Sequence, residues 1–279
     1  MTTAHARRST AARPARVNPR RNSGRQTAFR ILAPTAALIA LFAVWQAAAT
    51  WGDTAATILP SPLRVVTNGW GDRENIAEAA AATLQITVLG LVVAILAAVT
   101  IASLLSFIAP LRMTLLPLLI GAQSVPIIVL APLFVIWFGF DAGPKIALVG
   151  IVSLLPLTLS TLQGLQSADP DAAILLRSMG ASRWKVFVTL RVPSALPYFI
   201  TGLRIMTSFI VVSAIFSEYV GAKTGLGIYM QTEKNLFRTD LVFAAVFVTI
   251  AIGLVLFAAT YALEALLLPW ERRRKAAQR

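Results

Sequence analysis

Between Leu241 and Leu263 the chain carries no charged side chain, and the same holds from Ile31 to Trp51, Leu84 to Ile108, Leu115 to Phe138 and Ile146 to Leu165. A sixth stretch, roughly Tyr198 to Phe216, holds one charge, Arg204. A helix that crosses the hydrocarbon core of a bilayer needs about 20 predominantly apolar residues. Six such stretches predict an all-α, polytopic transmembrane helical bundle of about six spans. Composition agrees: 57% of residues are hydrophobic and 13% charged, about half the charge of an average soluble domain.

The first run has two readings. Its basic flank and the small residues Ala47–Ala49 resemble a secretory signal. But a long segment precedes it, and the run exceeds a typical signal core. Residues 31–51 are therefore read as a retained first transmembrane helix.

Loop charges predict the orientation, because cytoplasmic loops carry the excess of Lys and Arg. Residues 1–30 hold eight arginines, Arg7 to Arg30, and no acid. Loop 52–82 is net negative, loop 109–114 carries Arg112, and loop 139–145 balances Asp141 against Lys145. Loop 166–197 is net positive, loop 218–240 is balanced, and the tail from Glu264 is again positive. Every second segment is positive, which predicts that both termini and loop 166–197 are cytoplasmic. The head, rich in Ala, Pro, Ser and Thr, reads as a disordered basic cytoplasmic segment, and 269–279 as a basic cytoplasmic tail.

The net charge of +13 raises the question of nucleic acid. With the charge concentrated at the termini of so apolar a chain, lipid headgroups are the expected partner and no nucleic acid is. The absence of cysteine removes disulfides, thiol catalysis and thiolate metal sites, and the single histidine, His5, lies in the head. No catalytic residue and no metal ligand can be named. Trp45, Trp51, Trp137 and Trp270 near span ends read as interfacial anchors, and Arg204 as a side chain that reaches back to headgroups.

The third span holds Pro117, Pro126 and Pro132, and proline kinks a helix and frees carbonyls that need partners. The span is expected to be a kinked helix packed inside the bundle. Gln123 and Ser124, just before Pro126, serve either as glue between helices or as lining of a substrate pathway. Glu218, at the outer end of the fifth span, either caps or pairs locally or belongs to that pathway.

Loop 166–197 is the most informative stretch. Asp169 caps a helix with Pro170 in its first position, and Ala172, Leu175, Leu176 and Met179 share a face. Gly180 supplies a left-handed stop. Ser182 caps a second helix to about Leu190, with Trp184, Phe187 and Val188 on one side and Pro193 and Pro197 ending it. Apolar residues on a water-facing loop either tuck against the membrane domain or dock into another protein.

Met179-Gly180-Ala181-Ser182-Arg183-Trp184 followed by Leu190-Arg191-Val192-Pro193 resembles the cytoplasmic signature loop of bacterial ABC-importer permeases. Ile174-Leu175-Leu176 stand where that signature has Glu-Ala-Ala. Ala131-Pro132-Leu133-Phe134-Val135-Ile136-Trp137-Phe138-Gly139-Phe140, and Glu218-Tyr219-Val220-Gly221-Ala222 with Gly225-Leu226-Gly227, resemble the nitrate/sulfonate/taurine group, nearest to members that import thiamine-pyrimidine precursors or riboflavin.

The resemblance spans about residues 55–270 and implies an ABC-type permease transmembrane domain over 78–268. It implies a multi-pass protein of the bacterial cytoplasmic membrane that moves a small solute by alternating access. Its implied partners are ABC ATPase subunits, an extracytoplasmic substrate-binding protein and a second permease chain, as a homodimer. Ser178, Met179, Gly180, Ala181, Ser182, Arg183 and Pro193 would form the loop that couples to the ATPase. ATP and Mg would bind that partner and this chain no cofactor, which agrees with the absence of a G-x-x-x-x-G-K-[ST] phosphate loop. The competing readings are an ion-coupled secondary transporter, which needs ionisable residues deep in the spans, and a membrane enzyme, for which no constellation exists.

Overall fold

The computed structural model describes residues 23–51 and 57–269, with side chains from Leu32 onward. The expected disordered head with His5, most of the tail and Trp270 lie outside the described residues. The chain divides into a unit Met1–Asp53, whose described part is α1 (Ser23–Trp51), and a unit Thr54–Arg279.

In the second unit α2 (Pro62–Gly71) leads into α3 (Arg73–Phe107), α4 (Ala109–Ala122), α5 (Ile127–Phe138) and α6 (Ala142–Gln166). Then come α7 (Pro170–Ser178), α8 (Arg183–Val186), a π-helical turn (Phe187–Arg191), α9 (Val192–Glu218), α10 (Leu226–Asn235) and α11 (Thr239–Leu267). No strand occurs among the described residues. Five helical segments are long and apolar enough to span a bilayer, and α4 with α5 makes a sixth candidate.

The core is the trio α3, α6 and α9, and small residues draw these helices together. Ala94, Ala98 and Ala102 line one stripe of α3 and are wholly buried. A Cβ on Gly90 would lie 2.6 Å from Val149 Cγ1, and one on Gly150 would lie 2.8 Å from Val93 Cγ1. Each helix thus offers a glycine to its neighbour's valine. On the other side, a Cβ on Gly164 would lie 2.7 Å from Ala195 Cα. Lipid tails are as apolar as leucine, so close backbone approach and dense packing, not expulsion of water, hold such helices together. Two buried threonines return their hydroxyls to the preceding turn, Thr87 to the Thr83 carbonyl (2.7 Å) and Thr158 to that of Leu154 (2.9 Å).

Two expectations about the spans are corrected. The third is no single kinked helix but two, α4 and α5, bent by 100°. Pro126 has no N–H to continue α4. The chain instead turns tightly, with the Gln123, Ser124 and Val125 amides donating to the Ile120, Gly121 and Ala122 carbonyls, and α5 restarts after Pro126. Nor is this span packed inside the chain's own bundle: α4 buries no residue, and α5 buries only Ala131 and Val135.

The fifth span begins far earlier than Tyr198. Pro193 and Pro197 do not end the helix that Ser182 caps, and the chain stays helical from Arg183 to Glu218. The π turn absorbs Pro193: Val192 N–H reaches back to the Phe187 carbonyl, and this widened turn relieves the usual clash of a proline ring with the carbonyl four residues before it.

Arg204 consequently sits well inside α9 and is not a side chain near its boundary. Glu264 belongs to α11, not to the tail. The two pair, Arg204 Nη2 to Glu264 Oε2 at 2.6 Å, with the guanidinium 4.0 Å from the Tyr261 ring centroid.

Candidate functional site

The elbow between α6 and α9 is built by local signals acting in sequence. Asp169 Oδ1 accepts the Asp171 amide at 2.9 Å and the Ala172 amide at 3.5 Å, and Pro170 opens α7. The helix closes with Gly180 at φ +85°: its amide donates to the Arg177 carbonyl, and the Ala181 amide to that of Leu176, both at 2.9 Å. This paired closure requires the left-handed region that favours glycine. Ser182 Oγ then accepts the Lys185 amide at 3.2 Å and starts the next helix.

Ile174, Leu175, Met179 and Trp184 are each more than 60% exposed, and Met179 reaches 76%. Phe187 is the buried end of the aromatic group expected on this side. It packs 4.6 Å from the Phe107 ring and 5.5 Å from Trp184, while Val188 stays exposed. Ser178, Ser182, Arg183 and Pro193 are all exposed. Ser178 donates to the Leu175 carbonyl at 2.8 Å. Nothing lies within 4 Å of where a Gly180 Cβ would stand.

Beside this elbow is a basic cleft of about 350 Å³ whose lining includes Arg112, Arg177, Arg191, Ser106 and Ile174. Arg183 joins Arg177 and Arg191 around an adjoining hollow. Arg191 Nη1 donates to Ser106 Oγ at 3.2 Å. Among the described residues, no acid forms an ion pair with any of these four arginines. Sequence reading missed the cleft because its cations come from three separate segments.

The three residues considered for a pathway do not come together. Gln123 lines a cavity of about 630 Å³ between the α4–α5 break, α6 and α9, with Phe134, Ser153, Met206 and Phe209. Ser124, on the same break, is exposed and off its lining.

Glu218 is wholly buried elsewhere. Its Oε2 accepts the Gly227 amide at 2.7 Å and lies 3.1 Å from Thr83 Oγ1, which itself accepts the Leu226 amide at 2.8 Å. The carboxylate therefore sits at the amino end of α10, where free amides favour an anion. The glycines after it follow from this. A Cβ on Gly225, at φ +137°, would lie 2.4 Å from Glu218 Cδ, and one on Gly227 would lie 2.5 Å from the Ile215 carbonyl. Nearby, buried Lys145 donates to the Phe140 carbonyl at 2.7 Å and the Gly221 carbonyl at 3.3 Å.

Outside the spans, the α10 face carries two perturbed groups. Burial and the hydrogen-bonded Asp72 carboxylate push the Tyr229 phenol up. Burial pushes the Glu233 carboxyl up against the opposing pull of Arg238.

Comparison with known proteins places this architecture. The formylaminopyrimidine transport permease protein ThiX of Halalkalibacterium halodurans is 33% identical over 246 residues, 88% of this chain and 98% of that protein. The riboflavin transport system permease protein RibX of Chloroflexus aurantiacus is 30% identical, covering 92% of this chain and 96% of its own length. The taurine transport system permease protein TauC of Escherichia coli is 30% identical over 84% of this chain and 87% of its own. Among solved structures, the inward-facing MetNI methionine ABC transporter matches with a TM-score of 0.63 at 15% identity, over 70% of this chain and 97% of the matched one, and so shares the fold. Residues 90–270 match the profile of the binding-protein-dependent transport system inner membrane component. With that match and full-length relatives beside it, the chain belongs to this family, the multi-pass inner-membrane permeases of ABC importers.

Proposed function

We propose that this chain is the transmembrane subunit of an ATP-driven importer of a small solute, and that the elbow from Ser178 through Gly180 to Arg183, with Pro193 beyond the π turn, receives force from a separate ATPase. The observation that carries the reading is the preformed, exposed elbow. Leu175, Met179 and Trp184 expose apolar surface on a rigid cap–glycine–cap frame. Such a surface on a rigid frame is what a docking partner grips.

In this reading ATP and Mg bind the ATPase, not this chain. A binding protein delivers solute at the Glu218 end, and a second copy of the permease covers the exposed α4–α5 segment. Both termini and the elbow face the cytoplasm. ATP-driven closure of the ATPases moves the elbows as rigid bodies, and the unbroken helical run from Arg183 to Glu218 carries that motion across the bundle. The named solutes of the relatives, formylaminopyrimidine, riboflavin and taurine, bound the size of the cargo.

The test is co-purification from native membrane in mild detergent, with ATPase rate and ATP-dependent uptake read together. Met179→Arg is suited to it, because Met179 is 76% exposed and a cation agrees with the carboxyl end of α7. Loss of the ATPase partner in Met179→Arg, at unchanged thermal unfolding, is the expected result; Gly180→Trp should lose it too, with a lowered midpoint, because Gly180 holds φ +85°. Uptake that survives ATP depletion and stops with a proton uncoupler would sink the reading in favour of an ion-coupled carrier.

A further inference from the structure

The short helix α2 stands at the Glu218 end of the bundle and leads through Asp72 into α3. Its Leu63, Val66 and Trp70 are 67%, 68% and 72% exposed. Successive residues of a helix are about 100° apart, so these three form one apolar stripe. Going round the helix, the stripe is bordered on one side by Gly69 and on the other by the exposed Thr67, with Arg64 beyond it.

Two contacts with α11 fix how α2 is turned. Asn68 Nδ2 and Arg64 Nε both donate to Asp240 Oδ2, the second at 3.4 Å. A Cβ on Gly69 would lie 2.8 Å from Ala244 Cβ. Asp240 is in the first turn of α11, and Ala244 is one turn further into the span. The flank of α2 that touches the deeper turn is therefore the one beside the apolar stripe. The flank that bonds Asp240, at the mouth of the span, is the one beside Arg64 and Thr67. The contacts alone turn the stripe toward the membrane interior and Thr67 toward water.

The end of the stripe carries a second sign of the same boundary. Arg73 Cζ lies 5.6 Å from the Trp70 ring centroid, and its Nη1 donates to the Trp70 carbonyl at 3.3 Å. A tryptophan under a cation where a span begins suits the headgroup level, with the ring toward the acyl chains and the charge toward phosphate.

We infer that α2 is an interfacial lipid-binding helix, with Leu63, Val66 and Trp70 seated at the headgroup–acyl boundary of the leaflet at the Glu218 end. A soluble protein approaching from water would meet Thr67 and Arg64 before the stripe. Tied to α11 through Asp240 and continuous with α3 through Asp72, α2 sets the depth at which both spans enter the bilayer. The lipid contact requires only that the chain spans a membrane. Naming that leaflet as the outer one rests on the orientation proposed above.

The chain has no cysteine, so a spin label can be placed at one position at a time. Leu63→Cys, Val66→Cys, Trp70→Cys and Thr67→Cys are made in the full-length chain and reconstituted in vesicles of phosphatidylethanolamine and phosphatidylglycerol. Power-saturation EPR compares collisions with oxygen, which concentrates in lipid, and with a water-soluble nickel chelate. Labels at 63, 66 and 70 should favour oxygen, at depths of about 5–10 Å into the headgroup–acyl boundary, and the label at 67 should favour nickel. All four side chains are exposed, so the labels displace no core contact, and positions 63 and 66 report even if Trp70→Cys disturbs Arg73.

Three results overturn the inference. Nickel reaching 63, 66 and 70 as freely as 67 would place the stripe in water. Loss of access to both reagents along the stripe would mean that a second copy or another protein covers it. Oxygen favoured at all four positions would place α2 wholly within the hydrocarbon, not at its boundary. None of the three bears on whether a separate ATPase drives the permease, which is read by co-purification.

Discussion

Arg204 of α9 and Glu264 of α11 meet with 2.6 Å between Nη2 and Oε2, each side chain about a quarter exposed, and the Arg204 Cζ lies over the Tyr261 ring, 4.0 Å from its centroid. Charges inside spans are costly in lipid unless paired. The pair joins two packed helices and lies off the central cavity, so its role here is to fix α11 on α9. Removing one partner strands the other, a loss of roughly 3 kcal/mol for a well-shielded pair. Arg204→Met and Glu264→Leu should each lower the thermal unfolding midpoint in detergent. The double substitution should recover most of the loss, because two apolar side chains need no counter-charge. Additive losses would show that the two act independently.

The packing of Gly90 on Val149 makes a reciprocal prediction. A Cβ on Gly90 falls 2.6 Å from Val149 Cγ1, too close for α3 and α6 to keep their spacing. Gly90→Ala should destabilise by about 1–3 kcal/mol, the usual range for overpacking. Val149→Ala in the same chain should restore part of that, and the double-mutant cycle measured by thermal unfolding gives the coupling. Gly150 against Val93, at 2.8 Å, should behave the same way.

Legibility in the sequence follows distance along the chain. The elbow could be read residue by residue, because Asp169, Pro170, Gly180 and Ser182 each act within one turn of themselves. The spans could be read because hydropathy accumulates locally. Pro193 was misread because a proline is costly in an ordinary helix, and a π turn that accommodates it leaves no mark in composition. The break at Pro126 was visible as a kink, but its 100° angle comes from the three-amide turn before it. Arg204 and Glu264 are 60 positions apart, Ser106 and Arg191 85. Such pairs depend on which helices adjoin, and no local pattern encodes that.

Glu218 tests whether the outer motif is structural or also takes part in transport. Its carboxylate holds the Gly227 amide at 2.7 Å, and Gly225 leaves the space it fills. Glu218→Ala should cost about 1.5–3 kcal/mol, the worth of hydrogen bonds to a charged group, and loosen α10 in hydrogen exchange. Glu218→Gln keeps shape and one acceptor oxygen and should unfold close to the parent midpoint. If uptake survives in Glu218→Gln, the role is structural. A transport defect at unchanged midpoint would assign the charge itself to the pathway.

The arginines around Ser106 set the last prediction. Arg112, Arg177, Arg183 and Arg191 form no ion pair among the described residues, and the two clefts they line adjoin the exposed elbow. If the elbow docks on an ATPase, its basic surroundings favour a partner face bearing carboxylates. Exposed charge pairs weaken as salt screens them, so raising salt from about 50 mM to about 500 mM should speed dissociation of the complex. Arg177→Gln and Arg183→Gln should flatten that salt dependence at little cost to the permease fold, since both side chains are exposed. Arg191→Gln differs, because it also loses the Ser106 bond at 3.2 Å and should lower the unfolding midpoint as well. Dissociation rates indifferent to salt in the parent complex would mean that the apolar elbow alone carries the docking, with the arginines turned to lipid phosphates instead.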